Sequence, residues 1–152
     1  MMFVHNSAST HLDDISNRTF MAQNVNLKLN LNGSALNSEI SAKNTYLSDL
    51  DYQNKKSDPN YVAVITDTAN IELPGTLKLA FDNTAASKVK WFRNKPVSEC
   101  ESFKTGEVVD CSVDSDPDSS KYTIKDNEFN FTFGDLPGGY YFSQWIYVNL
   151  IV

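Results

Sequence analysis

The chain has 152 residues, of which 41% are hydrophobic and 12% aromatic, and its formal net charge is −6. This size and composition suit one globular domain and exclude wholesale disorder. The acidic balance and the scattered lysines argue against a nucleic-acid partner, because binding phosphates requires clustered Lys and Arg. No stretch approaches the roughly 20 apolar residues of a transmembrane helix, so we expect no membrane span.

The first part of the chain, residues 1–18, is polar and has no periodicity. It predicts a flexible N-terminal arm ahead of a single β-sandwich domain over residues 19–152. The opening "MMFVHNSASTHLDD" contains neither the basic nor the apolar region of a signal peptide. An exported protein would therefore need a leader that is absent from this sequence, and a cytoplasmic protein is the alternative.

The segment "NVNLKLNLNGS" gives the clearest strand signal. Val25, Leu27, Leu29 and Leu31 alternate with polar residues, and an Asn-Gly pair follows, as is typical of a half-buried strand that ends in a turn. Residues 46–60 are turn-rich and charged, which favours a loop that can include one short helical turn. Further strands are predicted at residues 61–66, 75–81, 88–93, 121–124 and 128–133.

The last segment, "GDLPGGYYFSQWIYVNLIV", begins with a Gly-rich turn and ends in a long apolar run. Both faces of the predicted strand are largely apolar, which favours a central position in a sheet over an edge. Together the segments predict about seven to nine short strands and no long helix, the pattern of an all-β, immunoglobulin-like β-sandwich. A small barrel is the alternative.

The two cysteines, Cys100 and Cys111, are close in sequence and separated by a Thr-Gly turn signal. An even count and a short spacing favour a disulfide across a hairpin over residues 100–111, which would imply an oxidising compartment. Two free thiols are the alternative.

Nothing in the sequence predicts catalysis. The only histidines, His5 and His11, stand in the predicted arm with Asp13 and Asp14, where a metal would lack a rigid frame. Ser-His-Asp and Cys-His chemistry both require a base held in the fold. We therefore expect a protein that is not an enzyme, with no catalytic residue, no metal and no cofactor.

Aromatic side chains offer a binding alternative. In alternating strands they are usually part of the core, but aromatic rings exposed on one face could stack on sugars. The candidates are Trp91, Tyr140, Tyr141, Trp145 and Tyr147.

The C-terminal "LPGGYYFSQWIYVNLIV" resembles the last strand of bacterial pilus and fimbrial subunits that are assembled by the chaperone/usher route. These subunits typically end with a turn containing Gly-x-Tyr and a long alternating strand. The matching positions are Leu136, Pro137, Gly139 and Tyr141 in the turn and Ile146, Val148 and Leu150 in the strand. "NVNLKLNLN" looks like the N-terminal donor segment of such subunits, and "GTLKLAFDNT" is similar to one of their mid-chain strands.

This resemblance implies a structural or adhesive subunit of a fimbrium or pilus, secreted through the periplasm to the bacterial surface. The subunit would be an incomplete sandwich that a donor strand completes. Val25, Leu27, Leu29 and Leu31 would be the donor side chains. Ile146, Val148 and Leu150 would belong to the acceptor strand. The implied partners are neighbouring subunits, a periplasmic chaperone and usher, and a host glycan or protein receptor.

Three alternatives stay open at this point. The strand that carries Leu27 and Leu29 could be an ordinary first strand that packs in its own domain. The protein could be a monomeric carbohydrate-binding, lectin-like sandwich. It could also be a virion structural protein made in the cytoplasm.

Overall fold

The computed structural model describes residues 1–6, 21–43, 45, 49–83, 89–94, 112–115, 119–138 and 143–152. Within these ranges the chain forms antiparallel β-strands and one short helix, which confirms the all-β prediction. In chain order the elements are β1 (Met2–Val4), β2 (Ala22–Asn32), β3 (Ala35–Lys43), α1 (Asp49–Lys55), β4 (Val62–Asn70), β5 (Ala80–Phe81), β6 (Val89–Asn94), β7 (Ser112–Ser115), β8 (Tyr122–Lys125), β9 (Glu128–Leu136), β10 (Gln144–Val148) and β11 (Leu150–Ile151).

The larger sheet has five strands in the order β4-β3-β2-β9-β8, with β2 at its centre. The alternation of apolar and polar residues explains this position, because it gives β2 one face that must be buried. A two-residue loop joins β2 to β3, and its first residue, Gly33, has a φ of 63°. Glycine suits this position because it accepts a positive φ without a steric cost.

The smaller sheet has four strands in the order β1-β10-β6-β7, and β11 pairs separately with β5. On β6 and β10 the side chains alternate: Val89, Trp91 and Ile146 are buried, and Trp145 and Tyr147 lie on the opposite face. Each of these strands therefore has an inner face and an outer face.

The core lies between the inner faces of the two sheets. Trp91 of β6 contacts Phe131 of β9, and Phe81 of β5 contacts Phe129 of β9, with ring centroids 5.5 and 6.0 Å apart. Phe129 and Ile146 are fully buried. Burying a side chain of this size stabilises a fold by about 1.5–3 kcal/mol, so the aromatic contacts between the sheets are a principal source of stability.

The elements depart from the sequence predictions in several places. The pattern of residues 35–43 did not predict β3. Residues 49–55 form a helix of two turns inside the predicted loop. The predicted strand 75–81 is reduced to β5, because Pro74 and Gly75, whose φ is 69°, interrupt the extended backbone ahead of it. The last strand is divided at Asn149, whose carbonyl accepts a hydrogen bond from the Asp82 amide (2.9 Å).

The predicted flexible arm contains a strand, because Met2–Val4 is part of the smaller sheet. Cys100 and Cys111, and with them the predicted disulfide, lie outside the described residues. In the part of the chain that the structure describes, no helix has the length and apolar character to cross a membrane.

Candidate functional site

The candidate site is the edge of the smaller sheet, where β1 lies against β10. The two strands are antiparallel, with Met2 opposite Ile146, Phe3 opposite Trp145 and Val4 opposite Gln144. Only 5% of the Val4 surface is exposed, because this side chain enters the core between the sheets. A short N-terminal segment thus adds a strand to the edge of the C-terminal strand and fills part of the core beside it.

Polar contacts hold the end of this segment. The Asn6 side-chain amide donates a hydrogen bond from Nδ2 to the Leu136 carbonyl at the end of β9 (3.0 Å). His5 Nδ1 lies 3.2 Å from Ser143 Oγ, just before β10. These two contacts tie the segment to both sheets and fix its register on β10.

An aromatic face covers the outer side of the smaller sheet. It consists of Phe3, Phe92, Trp145 and Tyr147. Ring centroids are 5.2 Å apart between Phe3 and Trp145 and 5.1 Å apart between Phe92 and Tyr147. Phe3 and Tyr147 are 43% and 42% exposed, which is unusual for aromatic rings in contact with other rings. The face therefore offers solvent-accessible rings on three adjacent strands.

The predicted acceptor residues are divided between β10 and β11. Ile146 is fully buried on the inner face of β10, and Val148 of β10 and Leu150 of β11 are partly buried and pack against the core. Leu150 does not continue the pairing with β6, because it lies opposite Phe81 of β5. The structure thus places Ile146 between β1 and β6 and Val148 opposite Val89 of β6, and it separates Leu150 from them.

The predicted donor residues lie elsewhere. Val25, Leu27, Leu29 and Leu31 are all buried in β2, which is hydrogen-bonded to β3 on one side and to β9 on the other. This placement favours the alternative of an ordinary strand that packs in its own domain, and the donor role of these four residues stays a prediction.

The predicted aromatic residues separate into two groups. Trp91 is only 9% exposed, and its Nε1 donates a hydrogen bond to Gln144 Oε1 (2.8 Å), so this ring is part of the core. Trp145 and Tyr147 lie on the aromatic face, and Tyr140 and Tyr141 lie outside the described residues.

Sequence reasoning missed the two phenylalanines of the aromatic face. The alternation in "KVKWFR" places the Phe92 side chain on the opposite face of the strand from Trp91, so the sequence could have identified Phe92. Phe3 carried no such signal, because a three-residue strand is too short to show a period.

One histidine–serine contact lies at the end of β1. His5 and Ser143 form a histidine–serine contact, but Ser143 is only 1% exposed, so its hydroxyl is inaccessible to a substrate carbonyl. Among the described residues no group of three or more His, Cys, Asp and Glu could hold a metal ion. His11, Asp13 and Asp14 lie outside these residues.

Comparison of the chain with protein-family models, with curated proteins and with solved structures finds no match.

Proposed function

We propose that this chain is a structural or adhesive subunit of a bacterial surface fibre that polymerises by donor-strand addition. In this proposal the domain is an immunoglobulin-like sandwich, and the protein reaches the cell surface through the periplasm. Its partners are a periplasmic chaperone, an usher, neighbouring subunits and a host glycan or protein receptor. The observation that carries the proposal is the pairing of β1 with the edge of β10.

β1 is a suitable strand for exchange because, in the part of the chain that the structure describes, it pairs with fewer strands than β2 does. It occupies one edge of the smaller sheet, pairs with one strand and buries Val4. Removal of β2 would instead break pairings with two strands and expose four apolar side chains, each contributing about 1.5–3 kcal/mol when buried. We therefore propose β1 as the donor strand that the structure favours, and the donor role of β2 stays a prediction from the sequence.

A neighbouring copy can supply the same strand. Residues 7–20 join the N-terminal segment to the larger sheet, and a chain of this length spans at most about 50 Å when fully extended. This is enough to reach an adjacent domain of similar size. An identical segment from the neighbour would restore the same hydrogen bonds on β10 and the same Val4 contact. Head-to-tail donation of this kind does not close on itself, so it produces a filament.

Cysteine cross-linking tests the proposal directly. Phe3 and Trp145 lie opposite each other in register, so a Phe3→Cys/Trp145→Cys variant places two thiols at the β1–β10 contact. After oxidation we expect a ladder of covalent oligomers on a non-reducing gel. The single variants Phe3→Cys and Trp145→Cys control for pairing with Cys100 and Cys111. A cross-linked chain that runs only as a monomer would show that β1 stays on its own domain, and the fibre proposal would fail.

A point variant separates strand exchange from other association. Val4→Asp places a charge where a buried side chain enters the core. We expect light scattering to detect oligomers of the unmodified chain and none of this variant. Phe3→Asp is the matched control, because Phe3 points to the outer face and is 43% exposed. Equal loss of oligomers in both variants would contradict donation through the inner face.

The aromatic face favours carbohydrate binding as a second candidate function. Exposed aromatic rings on adjacent strands can stack on sugar rings, and Trp145 provides a fluorescent reporter among them. We expect glycans that bind here to change Trp145 emission and Tyr147→Ala to weaken the effect. Emission that is unchanged across an array of glycans would exclude this candidate.

A further inference from the structure

Arg93 occupies an unusual position at the inner face of β6. Its guanidinium carbon lies 4.7 Å from the centroid of the Trp91 ring, in a cation–π contact. The side chain is partly buried, and its Nε is a buried donor with no hydrogen-bond partner. Among the described residues no other side-chain nitrogen or oxygen is both buried and unpaired.

A second cation comes to the same ring from the other sheet. Lys121 precedes β8, its backbone carbonyl accepts a hydrogen bond from the Thr132 amide, and its Nζ lies 5.9 Å from the Trp91 centroid. Lys121 and Arg93 thus approach one indole from opposite sheets. Within the described part of the chain neither of them is in an ion pair, in contrast to Lys28, which is paired with Glu128.

Neither cation has an acidic partner among the residues that the structure describes. Buried donors in native proteins are almost always hydrogen-bonded, and an unpaired one indicates a missing water or ion. The indole ring attracts each cation but cannot accept the Nε hydrogen bond of Arg93, and the two cations repel each other. A bound anion would satisfy the donor and offset the repulsion at the same time.

We propose that Arg93 and Lys121, positioned by Trp91, form a binding site for the carboxylate of a small organic acid. The planar guanidinium presents parallel N–H donors that match the two oxygens of a carboxylate, and the Nε–H is one of the donors of that fork. Lys121 provides a second, more flexible donor. A carboxylate also carries only one charge, so it is easier to desolvate between two sheets than a doubly charged phosphate. The site lies beyond the proposed function, because neither cation belongs to β1 or β10.

Tryptophan fluorescence can report on this site. The chain has two tryptophans, so a Trp145→Phe background leaves Trp91 as the only one. The probes are sodium acetate, sodium glucuronate and, as an uncharged control, glucose, each titrated at constant ionic strength. We expect a saturable change of Trp91 emission with both carboxylates and none with glucose. Tighter binding of glucuronate than of acetate would indicate that the site recognises an acidic sugar. Equal binding would indicate that it recognises the carboxylate group alone.

Charge-removing variants identify the residues responsible. Arg93→Met should weaken binding of the carboxylates by about tenfold or more, since it removes the bidentate donor, and Lys121→Met should weaken it less. Lys125→Met is the matched control, because Lys125 is an exposed lysine of β8, and it should leave the midpoint unchanged. If Arg93→Met does not fold, Arg93→Lys keeps the charge without the fork and should also weaken binding.

Three results would overturn the proposal. The first is the absence of a saturable emission change with either carboxylate, as expected if a water molecule satisfies Arg93. The second is an unchanged midpoint in Arg93→Met or Arg93→Lys. The third is an equal loss in Lys121→Met and Lys125→Met, which would indicate attraction by overall charge. None of these measurements depends on oligomer formation, so failure here leaves the fibre proposal untouched.

Discussion

Trp91 and Phe131 meet edge to face between the two sheets, with ring centroids 5.5 Å apart and ring planes at 70°. Phe131 is 1% exposed and also contacts Phe133, with a centroid distance of 4.8 Å. This pair is therefore a direct connection between the sheet that carries β2 and the sheet that carries β1 and β10.

Truncation of Phe131 should be among the most damaging single changes to the fold. We expect Phe131→Ala to lower the free energy of unfolding by about 3–5 kcal/mol, the usual cost of removing a large buried ring. A double-mutant cycle of Trp91→Leu and Phe131→Leu should give a coupling of about 0.5–1.5 kcal/mol from the edge-to-face contact. Urea denaturation measures both quantities. Phe92→Ala, on the outer face, is the matched control, and an equally large loss there would contradict this assignment of the core.

The β2–β3 loop should depend on glycine at its first residue. Gly33 has a φ of 63°, and a Cβ built on it would meet no atom within 4 Å. Gly33→Ala should therefore destabilise the fold through its backbone conformation and not through contact with neighbouring atoms. We expect it to lower the free energy of unfolding by about 1–2 kcal/mol. Gly33→Asn should cost less, because Asn adopts positive φ more readily. Urea midpoints compare the two variants. An equal midpoint for Gly33→Ala and the unmodified chain would refute the requirement for glycine at this turn.

The β8–β9 loop should show the same preference for glycine over alanine at a position that a non-glycine residue occupies. Asp126 is not a glycine but has a φ of 52° at the first position of a two-residue loop. We expect Asp126→Gly to be more stable than Asp126→Ala by about 1 kcal/mol, because only glycine adopts this backbone conformation without a steric cost. Thermal unfolding of the two variants tests this, and a more stable Ala variant would be the contrary result.

The predictability of each strand followed from the strength of its side-chain pattern. β2 was predicted because four large apolar residues alternate with polar ones, and the same holds for the three phenylalanines of β9. β3, "ALNSEISAK", was missed because small and polar residues interrupt any alternation. It forms because β2 and β4 hydrogen-bond to its two edges, so tertiary context decides its conformation.

The candidate site was only partly predictable. The C-terminal run identified Ile146 and Val148 as an important strand, but a continuous apolar run does not reveal the interruption at Asn149. The pairing of Phe3 with Trp145 joins opposite ends of the chain, and no local pattern specifies a contact of such long range. For the same reason, nothing in the sequence placed Lys121 beside Trp91.

The outer face of the larger sheet carries an ion pair that should make stability depend on pH. Lys28 Nζ lies 2.8 Å from Glu128 Oε2 on the neighbouring strand, and both side chains are more than one-third exposed. The hydrogen bond from Lys28, followed by that from Asn130, lowers the pKa of Glu128 below its ordinary value of 4.5. The hydrogen bond to Glu128 raises the pKa of Lys28 above 10.5.

The two pKa shifts affect the stability of the fold at opposite ends of the pH range. Because the folded-state pKa of Glu128 is lowered, its contribution is present above about pH 4.5 and is lost as the pH falls through the folded-state value. The contribution of Lys28 is present below about pH 10.5 and is lost as the pH rises through its raised pKa. The pair should therefore stabilise the fold over the whole neutral range.

Glu128→Gln tests this dependence, because it removes the charge and keeps the shape of the side chain. We expect a small loss of stability at pH 7, since exposed ion pairs are screened by water, and a smaller difference from the unmodified chain as the pH falls below 4.5. Added salt should also reduce the difference, which distinguishes charge attraction from packing. Glu39→Gln is the matched control, because Glu39 lies opposite Lys28 on β3 and attracts it without an ion-pair contact among the described residues, so its loss should have the smaller effect. A difference between Glu128→Gln and the unmodified chain that is the same at pH 3 and pH 7 would show that the pair contributes nothing through its charges.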